Sequence, residues 1–167
     1  MAASNKSPAF IGVDGGDLPH VFAVEIKWVT PRLAIGSMIG TAPNMRAVAA
    51  AGITHVINVQ AEFDDSAIVG DTGIHVHWLK VESKRGFAET DLMELALRFA
   101  EEALHSPDNA ILVHCLAGRS RSPKVAYAIL LRLGFSKTDA CNLIRKVEKD
   151  AMLEEDVLHT VSDCSAR

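Results

Sequence analysis

The chain reads as an α/β fold with a central, mostly parallel sheet flanked by helices on both sides. Three observations predict it. Short β-branched runs recur along the chain, at Ile53–Val59 (ITHVINV), Ile74–Val81 (IHVHWLKV) and Ala110–His114. Segments with apolar residues at helical spacing alternate with them, above all Leu92–Leu104 and Val125–Leu133. The links between them are short, and strands alternating with helices on short links favour parallel pairing.

The elements follow in order. Residues 1–20 are small, polar and Gly/Asp/Pro-containing and are read as a loose arm, with 21–167 as a single domain. Val21–Val29 and Arg32–Gly36 read as strands around Pro31. Pro43–Ala51 reads as a short helix closed by Gly52. The ITHVINV and IHVHWLKV strands come next. Asp91 is expected to cap the following helix, with Glu94 three residues on to complete a capping box. After the Ala110–His114 strand, Val125–Leu133 is apolar nearly all round and should be a central buried helix ended by Gly134. Asp139–Val147 shows one apolar face, and Met152–Val161 reads as a last helix.

Composition removes several classes of function. A length of 167 residues suits one core, and 49% hydrophobic residues are too many for a disordered chain. Lys plus Arg total 17 against 21 Asp plus Glu, a net charge of −4, so nucleic acid is not an expected partner. The three Cys, at 115, 141 and 164, form no C-x-x-C, which argues against a disulfide framework and a structural zinc site. No apolar run is long enough to span a bilayer, and residues 1–19 lack the features of a secretory signal. A cytoplasmic location is expected, in agreement with reduced thiols.

The chemistry concentrates in Ile111–Pro123, ILVHCLAGRSRSP, ordered strand, tight loop, helix. Such a loop, wrapped on a helix N-terminus, turns successive backbone N–H groups inward and makes an anion nest. Gly118 permits the positive φ that the curl needs. The helix dipole adds roughly half a positive charge at the same point. Arg121 offers a planar fork for two phosphate oxygens. A thiol in such surroundings commonly titrates at ~3.5–7.5, so Cys115 is expected to act as a thiolate facing phosphate. In-line attack on phosphorus and hydrolysis of the resulting cysteinyl-phosphate would follow. No metal or other cofactor is needed, because arginine and amides supply the positive charge.

HCLAGRSRS resembles the active-site loop of cysteine-dependent protein tyrosine phosphatases, in the compact dual-specificity branch. VTPRLAIGS (Val29–Ser37) and GITHVINVQ (Gly52–Gln60) are similar to earlier parts of that family, so the likeness covers about 25–149. The resemblance implies Cys115 as nucleophile, Arg121 as phosphate-binding arginine and the amides of Leu116, Ala117, Gly118, Arg119 and Ser120 as the cup. It implies Ser122 as the hydroxyl that assists the leaving thiol, and His114 as a support of the loop.

The family also uses an Asp general acid roughly thirty residues before the nucleophile. The matching loop here, Val81–Phe87 (VESKRGF), holds no Asp. Glu82, thirty-three residues before Cys115, is the expected substitute. Asp91 and the Asp64/Asp65 pair are the other candidates.

The expected substrate is a phosphorylated protein, phosphotyrosine first and phosphoserine or phosphothreonine second. Arg119, Lys84 and Arg85 keep an anionic phospholipid or phosphoinositide head group open as an alternative. The missing Asp keeps open a catalytically weak phosphate-binding module. A glucan phosphatase fits the Ser-Arg loop ending poorly, and a rhodanese-type sulfurtransferase fits the pattern before residue 60 less well. His75 and His77 share a strand face but have no third partner at ligand spacing, so they read as packing residues. Cys141 is expected in the core. Cys141 and Cys164 are both possible disulfide partners for Cys115.

Overall fold

The computed structural model describes residues 22–83, 87 and 90–153. Five strands form one sheet: β1 (Ile26–Thr30), β2 (Leu33–Gly36), β3 (His55–Asn58), β4 (His75–Trp78) and β5 (Ile111–His114). Their order is β1-β2-β5-β3-β4. Only β1 runs antiparallel, paired with β2. The pairs β2–β5, β3–β5 and β3–β4 are parallel. Four helices complete the chain: α1 (Ala42–Ala50), α2 (Thr90–Leu104), α3 (Arg121–Arg132) and α4 (Lys137–Val147).

The period-two alternation of the strands divides the core into two layers. Ile35, Ile57, Ile111 and Val113 join Leu97, Val125, Ile129 and Ile144 on the side of α2, α3 and α4. Ala34, Val56 and Leu112 face Met45 and Val48 of α1 on the other. β5, at the centre, is buried along its whole length. Helices thus cover both faces, as expected.

Several boundaries differ from expectation. β1 begins at Ile26 rather than Val21, and its register shifts between Trp28 and Thr30. α3 begins at Arg121 rather than Val125. The polar residues RSPK form its first turn, where Pro123 costs no hydrogen bond because that N–H has no intrahelical partner. The capping box is a correction. Asp91 lies inside the first turn of α2, one residue past the helix start. Glu94 instead pairs with Arg98 at 3.4 Å and with Arg132 of α3 at 2.8 Å. Two guanidinium partners outbid a single backbone N–H for that carboxylate. A 3-10 turn over Asp65–Ile68 was not expected; Asp64 caps it through Ser66 N at 2.9 Å. Met152 and Leu153 are not helical, and the rest of the expected last helix lies outside the described residues, as does the arm 1–20.

His75 and His77 are packing residues, as expected. The His75 ring stacks on His55 at 4.9 Å, and His77 stacks on Phe99 of α2 at 4.8 Å. Among the described residues no helix is long and apolar enough to cross a membrane.

Candidate active site

Because β2, β3, β4 and β5 are mutually parallel, the segments that follow them leave the sheet at the same edge. The site forms where the 115–120 loop after β5 meets the loops after β2, β3 and β4.

Two carbonyls of the 115–120 loop are bonded to other segments of the chain. Leu116 O accepts from Met38 N at 3.1 Å, and Arg119 O accepts from Met152 N at 2.8 Å. Among the described residues, the backbone N–H groups of Leu116 through Arg121 donate to no protein acceptor. The Ser120 N-cap makes no side-chain cap bond either. Six consecutive donors are therefore unspent among the described residues, and Pro123 adds none. Gly118 makes the curl possible. Its φ is +74°, and a Cβ there would stand 3.0 Å from Gly36 O. Two glycines thus let the loop backbone lie directly on the end of β2.

The Cys115 thiol lies 3.3 Å from the Ser122 hydroxyl, so the structure brings these two expected residues together. Cys115 is 2% exposed, at the floor of the loop, and joins the core cluster under α3. Cys115 and Cys141 are both free thiols, and Cys141 packs against the same cluster; Cys164 lies outside the described residues.

Arg121 is also buried, and its position shows a residue that sequence reasoning missed. Nη1 donates to Glu62 Oε2 at 3.0 Å and to the Val81 carbonyl at 2.9 Å, while Nη2 donates to Glu62 Oε1 at 3.1 Å. The guanidinium has five N–H groups. Both hydrogens of Nη1 and one of Nη2 are used, which leaves Nε–H and one Nη2 hydrogen on the same edge without a partner among the described residues. That edge has the spacing for two oxygens of one phosphate. The sequence suggested a whole free fork; the structure gives one edge to Glu62 and keeps the other. The Arg121 hydrogen bonds hold the Glu62 carboxyl below the usual carboxylate range, with burial opposing.

The same loop reaches the other end of the 115–120 segment. Asp65 Oδ2 lies 2.6 Å from His114 Nε2, and both side chains have no solvent exposure. Asp65 also accepts from Asn58 Nδ2 at 2.7 Å and from Gly40 N at 3.4 Å. Its carboxylate is thus enclosed by partners, which removes it as a proton donor to a substrate. Asp64 is occupied in capping Ser66. Asp91 is exposed on the first turn of α2. Glu82 is exposed and directly follows Val81, whose carbonyl holds Arg121. Lys80, with φ of +50°, turns the chain just before this pair. Of the four carboxylate candidates, Glu82 is the one whose backbone is anchored to the arginine.

Leu116, Ala117 and Arg119 are exposed, while Gly118 is buried. Arg119 acts electrostatically on Glu148. Burial alone would raise the Glu148 carboxyl, but Lys27, the Asp150 N–H and Arg119 together hold it low. Lys84 and Arg85 lie outside the described residues.

A thiol beside a helix-start hydroxyl, followed by amides with no acceptor among the described residues and by a guanidinium with one edge left over there, has the chemistry of a cysteine-based oxyanion site on a parallel sheet. Comparison with known proteins narrows the class. Residues 38–165 match the family model of the dual specificity phosphatase catalytic domain, and the chain belongs to that family. It is 34% identical over 125 residues to human dual specificity protein phosphatase 9, covering 71% of this chain and 30% of that protein. It is 32% identical over 105 residues to dual specificity protein phosphatase 26 of Rattus norvegicus, covering 62% of this chain and 49% of that protein. The chain thus spans about a third to a half of these curated relatives. Among solved structures, Tk-PTP in its active form superposes with a TM-score of 0.71 at 20% identity, covering 85% of this chain and 97% of that one. Human DUSP28 gives 0.69 at 24% identity, covering 83% and 90%. These two support the fold.

Proposed function

We propose that this domain hydrolyses phosphomonoesters of proteins, phosphotyrosine first and phosphoserine or phosphothreonine second, through a cysteinyl-phosphate on Cys115. The observation that carries this reading is the run of six amides, Leu116 to Arg121, that directly follows Cys115 and donates to no acceptor among the described residues. They are aimed to neutralise the three equatorial oxygens of a phosphoryl group, with the free edge of Arg121 on two of them. The Cys115 thiolate attacks phosphorus as the phosphorus–oxygen ester bond breaks. Glu82 gives its proton to the departing oxygen. Water then attacks phosphorus, Glu82 takes a proton from it, and the sulfur–phosphorus bond breaks. Ser122, at 3.3 Å, donates a hydrogen bond to the leaving sulfur. Glu62 is unsuited to the acid role, because Arg121 keeps it ionised.

Protein substrates are favoured over phospholipid head groups by the match to the dual specificity phosphatase catalytic domain and to dual specificity protein phosphatases. Work on phosphoproteins with a reduced nucleophile suits a cytoplasmic location. The test is turnover of p-nitrophenyl phosphate and a phosphotyrosine peptide, wild type against Cys115→Ser, with phosphoinositide as competitor. Turnover lost in Cys115→Ser and weak competition by phosphoinositide support the reading. Equal inertness of both proteins, with phosphopeptide still bound, would make this a binding module.

A further inference from the structure

The loop between β3 and the 3-10 turn, residues 59–64, with the residues at its two ends, touches the 114–121 segment at both ends. At the far end, Glu62 takes the arginine. At the near end, Asp65 takes the histidine that precedes the nucleophile. We propose that Asp65 is a positioning residue for Cys115, acting through His114, and that this loop divides the work between its carboxylates: Asp65 places the nucleophile and Glu62 places the arginine. The inference rests on Cys115 and Arg121 acting as described above.

The division follows from the geometry. Successive strand residues point to opposite faces. Cys115 enters the core layer under α3. His114, one residue earlier, points to the other face, where Asp65 waits. The backbone at this point is pinned on both flanks, because Val59 N donates to His114 O at 3.0 Å and Cys115 N donates to Gly36 O at 3.4 Å. The His114 ring is the remaining freedom. Its Nε2 lies 2.6 Å from Asp65 Oδ2, a close contact without the alignment of a hydrogen bond. Neither ring nitrogen has a hydrogen-bond partner among the described residues, so the contact with Asp65 is what restrains the ring on this side.

The loop itself is stiff enough to serve as a reference. Asn58 braces it from both ends, donating to Phe63 O at 2.8 Å and to Asp65 at 2.7 Å and accepting from Gln60 N at 3.0 Å. Gln60 Nε2 reaches Phe63 O at 3.2 Å, and Trp78 Nε1 holds Gln60 O at 2.8 Å. Asn58 also sits opposite His114 in the β3–β5 register. Loss of Asp65 would free the ring next to the nucleophile while Glu62 still held Arg121.

The test uses Asp65→Asn in the full chain. Its kcat on p-nitrophenyl phosphate and its rate of Cys115 alkylation by iodoacetamide should both fall about fivefold or more, as a displaced nucleophile requires. KM and the inhibition constant of inorganic phosphate should stay within about twofold. Glu62→Gln should weaken phosphate inhibition about fivefold or more while the Cys115 alkylation rate stays within about twofold. His114→Asn should reproduce the Asp65→Asn loss, and the double variant should add nothing to it. If Asp65→Asn does not fold, His114→Asn must show the same kcat-against-KM split alone. An unchanged kcat and alkylation rate in a folded Asp65→Asn protein would overturn the proposal, as would full additivity in the double variant. Alkylation needs no turnover, so an inactive wild type that still shows the Asp65 effect would count against the catalytic reading and not against this one.

Discussion

Glu62→Gln perturbs the site at the contact that decides where Arg121 can point. The substitution keeps the volume and one acceptor but removes the charge. Two charge-assisted hydrogen bonds, at 3.0 and 3.1 Å, lose their ionic character. Buried bonds to charged groups contribute about 1.5–3 kcal/mol each. The Arg121 side chain is 7% exposed, but Glu62 is 40% exposed, and solvent screens that end of the pair. A discounted total of about 1–2 kcal/mol is appropriate. At 1.36 kcal/mol per tenfold, kcat/KM should fall roughly 5- to 30-fold. The assay is steady-state hydrolysis of p-nitrophenyl phosphate near neutral pH, with a thermal melt to show that the fold persists. A change of less than twofold would mean that Val81 O alone suffices to hold the guanidinium. A rise in kcat/KM would refute the reasoning in a more instructive way, since Glu62 would then compete with phosphate for the fork.

Gly118→Ala should lower kcat/KM about a hundredfold, because the added methyl meets Gly36 O at 3.0 Å in a positive-φ backbone and displaces the cup; steady-state kinetics near wild-type level would show that the loop need not rest on β2. Glu82→Gln should slow a phosphoserine peptide by ~10²-fold or more and p-nitrophenyl phosphate far less, because only the alkoxide needs a proton. Equal losses on both substrates would remove Glu82 as the acid. His55 and His77 are held below the ordinary histidine range, by burial in both cases, with His75 adding to the effect on His55 against Glu102. Their neutral forms stabilise the fold above the unfolded value of ~6.5, and that stability is lost as pH falls below it. The melting temperature should therefore drop between pH 7.5 and 5.5, and His77→Phe, beside Phe99, should flatten that dependence; parallel curves would contradict it.

Local chemistry made much of this protein legible in one dimension. The apolar runs around His55, His75 and Ile111 specify strands because alternation and β-branching are properties of neighbours in the chain. The nucleophile, the curl at Gly118, the hydroxyl of Ser122 and Arg121 lie within eight residues, so their spacing alone points to an oxyanion cup. Glu62 and Asp65 carried no such signature. Glu62 is 59 residues from Arg121 and Asp65 is 49 from His114, and each looks like a solvated carboxylate in a turn. A signal did exist: the QAEFDD segment follows a strand that runs parallel to β5, and loops after parallel neighbours must emerge side by side. Only the sheet order β5-β3-β4 turned that adjacency into contacts. It gave one edge of Arg121 to Glu62, enclosed Asp65 against His114, and bound Arg121 to the carbonyl of Val81, the residue before Glu82. Which acid groups serve the reaction and which only hold its parts in place is a question of distance across the sheet, and that distance exists only once the chain has folded.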